Sequence, residues 1–137
     1  MILLDTNVIM YAAGEDHPHK QPCIDLLTAI AMGRIDAAID TELLQEILHR
    51  YRSIGRWDDG KRVYDYTRKT MQSVIMIDVS ILDKTRQLMD EYTRLMARDA
   101  LHAAVCIEHE IERICGYDRD FDAIEQINRI TPQDLLT

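Results

Sequence analysis

Short apolar runs alternate along the chain with longer segments in which apolar residues recur every three or four positions. A short apolar run between polar residues is typical of a buried strand, and the longer pattern is typical of a helix with one buried face. Because strands and helices that alternate in this way form a parallel sheet covered by helices, the pattern predicts an α/β fold. The predicted strands are residues 1–5, 37–39, 74–77, 113–117 and 128–131.

The helical segments are bounded by residues that commonly begin or end helices. Asp5 or Thr6 can cap the first helix, and Asp40 or Thr41 can cap the third. Gly33 is expected to end the second helix, and the polar stretch 53–60 to separate two helices of a hairpin. The predicted helices are residues 6–13, 18–32, 41 to about 52, about 61–71, about 80–96 and 99–111, with a last helical turn from Pro132.

Acidic residues stand at several of these predicted element ends. Asp5 and Asp118 follow predicted strands, so both should lie at the carboxyl edge of one parallel sheet, where open α/β folds bind ligands. Asp99 begins a predicted helix, whose dipole favours a negative charge there, and Glu46 lies one turn into its own helix. Because carboxylate oxygens suit hard cations such as Mg²⁺ and Mn²⁺, these residues predict a metal site that activates water and neutralises phosphate charge.

The formal net charge of −8 argues against a protein that binds nucleic acid through a broad basic surface. It argues less against a metal-dependent nuclease, because carboxylates that hold cations do not present a bare anionic surface. Basic and aromatic residues are interleaved between residues 50 and 69, as in surfaces that contact phosphates and bases, although a solvated helical face has the same composition. The candidate RNA contacts are Arg50, Arg52, Arg56, Lys61 and Arg62.

A length of 137 residues favours one domain, residues 1–137. No apolar run approaches the roughly 20 residues that span a bilayer, and no cleavable leader is recognisable, so we expect a cytoplasmic protein without a membrane partner. Cys23, Cys106 and Cys115 form neither an even disulfide framework nor a C-x-x-C pair. We therefore expect them to be reduced and to serve as small apolar side chains.

Four short blocks occur in a fixed order: Asp5-Thr-Asn7, Leu44-Gln-Glu46, Arg98-Asp-Ala-Leu-His-Ala-Ala104 and Tyr117-Asp-Arg-Asp-Phe121. Each block alone is weakly specific, but the ordered set spans essentially the whole chain and resembles the PIN-domain family, most of all its VapC-type toxins. The resemblance implies a three-layer α/β/α sandwich with a mostly parallel central sheet. It also implies a Mg²⁺ or Mn²⁺ site, endonucleolytic cleavage of RNA, frequent homodimers and, for toxins, a small antitoxin partner.

The resemblance also assigns roles to individual residues. The implied catalytic residues are Asp5, Glu46, Asp99 and Asp118, and the implied metal ligands are Asp5, Asp99, Asp118 and Asp120, the last of which helps or replaces Asp118. Thr6 and Asn7 match a polar pair that would orient a carboxylate or position the substrate. Gly116 departs from the family pattern, which commonly has Thr or Ser there, so a hydroxyl is missing from the site while the metal ligands are retained.

Each acid also has a simpler interpretation. Asp5 and Asp99 could be helix caps and nothing more. Glu46 could be a solvated side chain beside Arg50, with Glu42 as the competing ligand one turn earlier. The aspartates of the last block, which also include Asp122, could be turn residues.

The histidines are interpreted more cautiously. His17 and His19 are expected to be loop residues, because no carboxylate or cysteine at ligand spacing completes a zinc site. His102 lies three residues after Asp99 and could reach the site, yet a histidine beside alanines is more often structural.

Three other functions remain open. The chain could be a phosphatase with Asp5 as nucleophile, but the second Asp that such enzymes carry two residues on is Asn7 here. It could also be an RNA-processing nuclease that is not a toxin, or a catalytically silent scaffold that binds RNA or protein. Metal-dependent cleavage of RNA that is lost in Asp5→Asn would separate a nuclease from a scaffold. Activity on phosphate monoesters but not on RNA would favour the phosphatase.

Overall fold

The computed structural model describes residues 1–137 and contains one five-stranded sheet. Every neighbouring pair of strands is parallel. The strands are β1 (Ile2–Leu4), β2 (Ala37–Asp40), β3 (Ser73–Ile75), β4 (Arg113–Cys115) and β5 (Asn128–Ile130), and their order across the sheet is β3-β2-β1-β4-β5. The predicted α/β fold with a parallel sheet is confirmed.

Seven α-helices and one short 3₁₀ helix connect the strands. The helices are α1 (Thr6–Ala13), α2 (Lys20–Ala31), α3 (Thr41–Ser53), α4 (Trp57–Thr70), α5 (Val79–Glu91), α6 (Ala97–Glu108) and α7 (Pro132–Leu136), and the 3₁₀ helix is Arg119–Ala123. None of these helices combines the length and the apolar character that a membrane crossing requires.

The sheet is buried on both faces because β1 directs alternate side chains into two different hydrophobic clusters. Ile2 and Leu4 pack with residues of α1, α2 and α3, whereas Leu3 packs with residues of α5 and α6. All three side chains are at most 1% exposed, as expected for a parallel sheet with helices on both faces. The result is the three-layer α/β/α sandwich that the sequence predicts.

Several predicted helix boundaries are wrong by two to five residues. The hairpin helix α4 begins at Trp57 rather than near residue 61, and Gly60 lies inside it instead of breaking it. A Cβ atom at position 60 would lie 2.5 Å from Tyr51 Cβ, so this glycine lets α4 approach α3 closely. The helix predicted for 80–96 ends at Glu91, because the following turn buries Leu95, and the helix predicted from residue 18 begins at Lys20.

The strand order places the site. The chain proceeds outward from β1 to β2 and β3 and then crosses back to add β4 and β5 on the other side of β1. The carboxyl ends of β1 and β4 therefore form the topological switch point, where open α/β sheets bind their ligands. Asp5 directly follows β1 at this point, and Asp118 follows β4 by three residues.

Candidate active site

A cleft of about 980 Å³ opens at the carboxyl edge of the sheet. Its acidic residues come from four separate segments, namely Asp5, Glu46, Asp99 and Asp118. Its other lining residues come mainly from α1 and the loop after it and from the C-terminal half of α3 and the loop after it. The four acids to which the sequence analysis gives catalytic roles thus line one cavity.

Three carboxylates form a tight group within this region. Asp99, Asp118 and Asp120 each offer an oxygen atom, and the three oxygens lie within 4.8 Å of one another. Asp99 is in the first turn of α6, and Asp118 caps the 3₁₀ helix through Oδ1, which accepts a 2.9 Å hydrogen bond from the Asp120 amide. Asp120 is exposed while the other two are half-buried. Asp5 is the fourth predicted ligand and lies outside this group.

Asp5 is almost completely buried, with 5% of its surface exposed. Its Oδ1 caps α1 by accepting a 2.8 Å hydrogen bond from the Thr6 amide, so the capping interpretation of this residue is correct as far as it goes. The pKa of Asp5 is raised from 3.8 to about 6. Burial is the largest cause and the charges of Glu46 and Asp118 contribute, while His102 and the Thr6 amide act in the opposite direction. The fold therefore holds this carboxyl where its ionised form is unfavourable.

Asp99 is in the same situation. Burial and then the adjoining carboxyl of Asp118 raise the pKa of Asp99 to about 7, and the charge of Asp5 acts in the same direction. Negative charges crowded at one sheet edge cost free energy that a bound cation would relieve. The donor atoms here are all carboxylate oxygens, which fits a hard divalent cation rather than one that prefers sulfur or nitrogen.

A buried pair, Asp40 and His102, lies beneath the acids of the cleft. Asp40 ends β2 and caps α3, with Oδ1 accepting from the Leu43 amide at 3.0 Å, while its Oδ2 lies 2.6 Å from His102 Nδ1. Burial by itself would lower the pKa of His102, but the hydrogen bond to Asp40 and the surrounding carboxylates raise it well above 6.5. These contacts therefore favour the protonated, cationic form of the imidazole.

The other ring nitrogen of this imidazolium faces the cleft residues. His102 Nε2 lies 3.3 Å from Thr6 Oγ1, 3.5 Å from Glu46 Oε1 and 3.7 Å from Asp5 Oδ1. His102 thus reaches two of the candidate catalytic acids. It is also buried and bonded to Asp40, so its position is compatible with both roles that the sequence analysis considered. The Thr6 hydroxyl, which the resemblance implies would orient a carboxylate or position the substrate, contacts this histidine.

Glu46 is held between two cationic groups. Its Oε2 lies 3.4 Å from Arg98 Nη1, and its Oε1 faces His102. Glu46 lines the cleft, whereas its rival Glu42 does not. Burial raises the pKa of Glu42, and the charge of Glu46 adds to that rise.

Asn7 and Gly116 meet at the switch point. Asn7 Oδ1 is buried and has no hydrogen-bond partner in the structure, and such an atom is costly unless something else satisfies it. A Cβ atom at position 116 would lie 2.7 Å from Asp5 Cβ and 3.1 Å from Asn7 Oδ1. The glycine that departs from the family pattern therefore leaves space that Asp5 and Asn7 occupy, and a larger residue would displace them.

The basic residues predicted to contact RNA fall into two groups. Arg50 and Arg56 line the cleft. Arg52 stacks on the ring of Trp57 at 4.3 Å from its centroid. Lys61 and Arg62 form ion pairs with Asp58 and Asp59 on the surface of α4 and do not reach the cleft.

The sequence analysis gave no functional role to three residues of this region. Arg98 and His49 line the cleft but received no role, and Asp40 was considered only as a helix cap. The sequence contains one signal for Asp40. It is an acid at the end of β2, as Asp5 is an acid directly after β1, and these two strands are parallel neighbours, so both acids lie at the same edge of the sheet. Nothing in the local sequence pairs it with His102, which is 62 positions away.

Comparison with known proteins agrees with this geometry. A family model, PIN domain, matches residues 2–127. The chain is 38% identical over 130 residues to Ribonuclease VapC13 of Mycobacterium tuberculosis and equally to a VapC ribonuclease of Mycobacterium bovis, which covers 95% of this chain and 99% of each relative. The crystal structure of VapBC2 from Rickettsia felis, bound to a DNA fragment from its promoter, superposes with a TM-score of 0.75 at 17% identity, over 96% of this chain and 98% of the other. The chain therefore belongs to the PIN-domain family, and within it to the VapC ribonucleases that its sequence resembles.

Proposed function

We propose that this chain is a divalent-metal-dependent endoribonuclease that acts as the toxin of a VapBC-type toxin–antitoxin pair. The observation that carries the proposal is the convergence of carboxylates at the switch point of the sheet. Asp5, Asp99 and Asp118 line one cleft, and Asp120 offers an oxygen close to those of Asp99 and Asp118. The names of its relatives, which are ribonucleases, support the reaction class. One sheet that extends from β1 near the N-terminus to β5 near the C-terminus supports a single domain over residues 1–137.

The proposed metal ligands are Asp5, Asp99, Asp118 and Asp120, and the proposed cation is Mg²⁺ or Mn²⁺. When bound, such an ion lowers the pKa of a coordinated water and neutralises charge on a scissile phosphate. Burial and neighbouring carboxyls raise the pKa values of Asp5 and Asp99, and a cation placed beside them would lower these pKa values again. Asn7, whose buried Oδ1 has no partner, offers a further oxygen to a ligand in the cleft.

Glu46 is the proposed acceptor of the proton from the attacking water. Arg98 and His102 fix its two oxygens from different sides, which limits the orientations the carboxylate can adopt. Positioning of this kind contributes to catalysis by holding a base in reach of its proton. Asp40 in turn orients His102 through the 2.6 Å hydrogen bond, and Thr6 contacts the same ring.

RNA is the proposed substrate, and Arg50 and Arg56 are its proposed phosphate contacts within the cleft. Arg52, Lys61 and Arg62 belong to the same basic segment but do not line the cleft, and they would contact phosphates outside it. This local positive charge offsets the overall negative charge of the chain where the substrate enters.

Two protein partners are proposed. The Rickettsia felis protein is a VapBC complex, which supports a small antitoxin as the partner of this chain. A second copy of the chain is the other partner, supported by a surface around α5 that exposes large apolar side chains. These are Met76, Val79, Leu82, Met89 and Met96, which are between 39% and 78% exposed.

Cleavage of a mixed RNA pool by the purified chain tests the activity. We expect cutting with Mg²⁺ or Mn²⁺, none with EDTA, and loss of cutting in Asp5→Asn and Asp99→Asn. Equal cutting by wild type and variants would refute the assignment of the site. Absence of cutting with every metal would favour a silent scaffold, while cutting without growth arrest on expression would favour an RNA-processing enzyme over a toxin.

A further inference from the structure

Four aromatic rings pack together beside the acidic cleft and have no part in the chemistry described above. We call Tyr11, His17, His19 and Tyr117 the aromatic cluster. His19 and Tyr117 are stacked with 3.7 Å between centroids and 9° between planes. Tyr11 and His17 are 4.6 Å apart at 36°, and His17 and His19 are 4.8 Å apart.

Hydrogen bonds hold the aromatic cluster in place. The Tyr117 hydroxyl donates to Gln133 Oε1 at 2.7 Å, and Gln133 Nε2 lies 3.4 Å from His19 Nδ1. The His19 amide donates to His17 Nδ1 at 3.0 Å, and Lys20 Nζ donates to the Gly14 carbonyl at 2.6 Å across the same loop. Because the rings are ordered before any ligand arrives, stacking on them would carry little entropic cost.

The aromatic cluster adjoins the proposed cleavage site directly. Tyr11 and His17 line the same cleft as Asp5 and Asp118, and Tyr117 immediately precedes Asp118. His17 is exposed, so the cluster offers an open ring surface to whatever occupies the cleft.

The charges around His17 indicate which part of a nucleotide would bind there. Glu15 and Asp16 also line this part of the cleft, and their carboxylates would repel a phosphate. The one nearby ammonium group, that of Lys20, donates to the Gly14 carbonyl at 2.6 Å. A nucleobase is uncharged and has a flat face, and stacking on aromatic side chains is how proteins commonly hold unpaired bases. Arg50 and Arg56, whose guanidinium groups suit phosphates, line a different part of the cleft, formed by the C-terminal half of α3 and the loop after it.

We propose that His17 and Tyr11 form a base-stacking subsite for an unpaired nucleotide of the RNA that flanks the cleaved phosphate. The inference rests on the proposed ribonuclease function and narrows its substrate to RNA that is single-stranded, or locally unpaired, next to the cut. The other two rings of the aromatic cluster hold these two in place: His19 and Tyr117 both pack edge-on against Tyr11, and His19 also packs against His17.

Binding of a fluorescently labelled single-stranded oligoadenylate, followed by anisotropy in EDTA so that no RNA is consumed, tests the subsite. We expect His17→Ala to bind roughly 5- to 20-fold more weakly, because a stacked base is lost, and His17→Phe to bind as wild type does because a flat ring remains. His109→Ala, which changes an exposed histidine at the end of α6, is the matched control and should bind normally. A duplex of the same sequence should not distinguish these proteins.

Two results would overturn the subsite. Unchanged binding by His17→Ala is one, and equal weakening by His17→Phe and His17→Ala is the other, since that would mark a hydrogen bond or a charge instead of a ring. Cleavage by wild type in Mg²⁺, measured on the same preparations, separates this inference from the proposed function. If wild type and His17→Ala both cut RNA with the same KM, the base-stacking subsite is refuted and the nuclease function stands. If binding depends on the ring but no protein cuts RNA, the subsite stands and the nuclease function is refuted.

Discussion

Replacing Asp5 by Asn should stabilise the metal-free protein while abolishing its activity. The pKa of Asp5 is 3.8 in an ordinary environment and about 6 in the fold. At about 1.4 kcal/mol per pKa unit, this difference means that the ionised carboxylate reduces the free energy of unfolding by about 3 kcal/mol at pH 8. The amide of Asn carries no charge, and its oxygen can still cap the Thr6 amide as Asp5 Oδ1 does.

The destabilising effect of the ionised Asp5 carboxylate should increase with pH. The pKa is raised in the folded state, so the folded protein binds the proton more tightly than the unfolded chain does. The penalty is small below pH 4, grows as the pH rises through the interval from about 4 to about 6, and is complete above it. We expect Asp5→Asn to gain about 1–3 kcal/mol at pH 8, less the cost of burying the amide, and about half as much at pH 5.

Urea unfolding in EDTA at the two pH values measures the effect. Asp83→Asn, an exposed position on α5, is the matched control and should change little. Adding Mg²⁺ at pH 8 should stabilise wild type and leave Asp5→Asn almost unaffected, because binding to the folded state alone raises stability. A variant less stable than wild type at pH 8 in EDTA, or a gain that is the same at both pH values, would refute the reasoning.

Two further predictions concern contacts around the site, and a third concerns the exposed surface around α5. His102→Ala should lose activity and about 3–5 kcal/mol of stability, because Asp40 is left buried without its partner; Asp40→Asn in the same chain should restore part of the stability, measured by urea unfolding. Gly116→Ala should cost about 1–3 kcal/mol and weaken Mn²⁺ binding, because its Cβ would stand 2.7 Å from Asp5 Cβ; calorimetric titration with retained affinity would contradict this. Val79→Glu, at a 72% exposed position, should convert the proposed dimer into a monomer in light scattering without loss of helical circular dichroism, and an unchanged mass would place the interface elsewhere.

The fold could be predicted from the sequence because its signals are local. The clearest case is β1, whose two faces are both buried, so its three residues are apolar without alternation. Gly60 was misinterpreted because its role depends on a residue of another helix. From the local sequence a glycine there predicts the end of a helix, whereas in the structure it lies inside α4, where it leaves room for Tyr51. The helix that ends at Glu91 was extended too far because the apolar residues after it continue to suit a helix, although Leu95 is buried from a turn.

The site likewise contains residues that local sequence signals predict and residues that only contacts between distant segments explain. Strand ends and the ordered blocks point to Asp5, Glu46, Asp99 and Asp118, and all four line the cleft. The Asp40–His102 pair and the aromatic cluster depend on contacts between residues far apart in the chain, such as Tyr117 and His19, which periodicity does not encode. The space that Gly116 leaves for Asp5 is likewise visible only in three dimensions.

The central claim is that the carboxylates at the switch point hold a divalent cation. Titration with Mn²⁺, in which the free ion is followed by electron paramagnetic resonance, tests it without any RNA. We predict that wild type and Asp83→Asn bind the ion alike, and that Asp99→Asn and Asp118→Asn bind it at least about 10-fold more weakly. Equal Mn²⁺ affinity in all four proteins would contradict the account, because the ion would then be bound elsewhere or not at all.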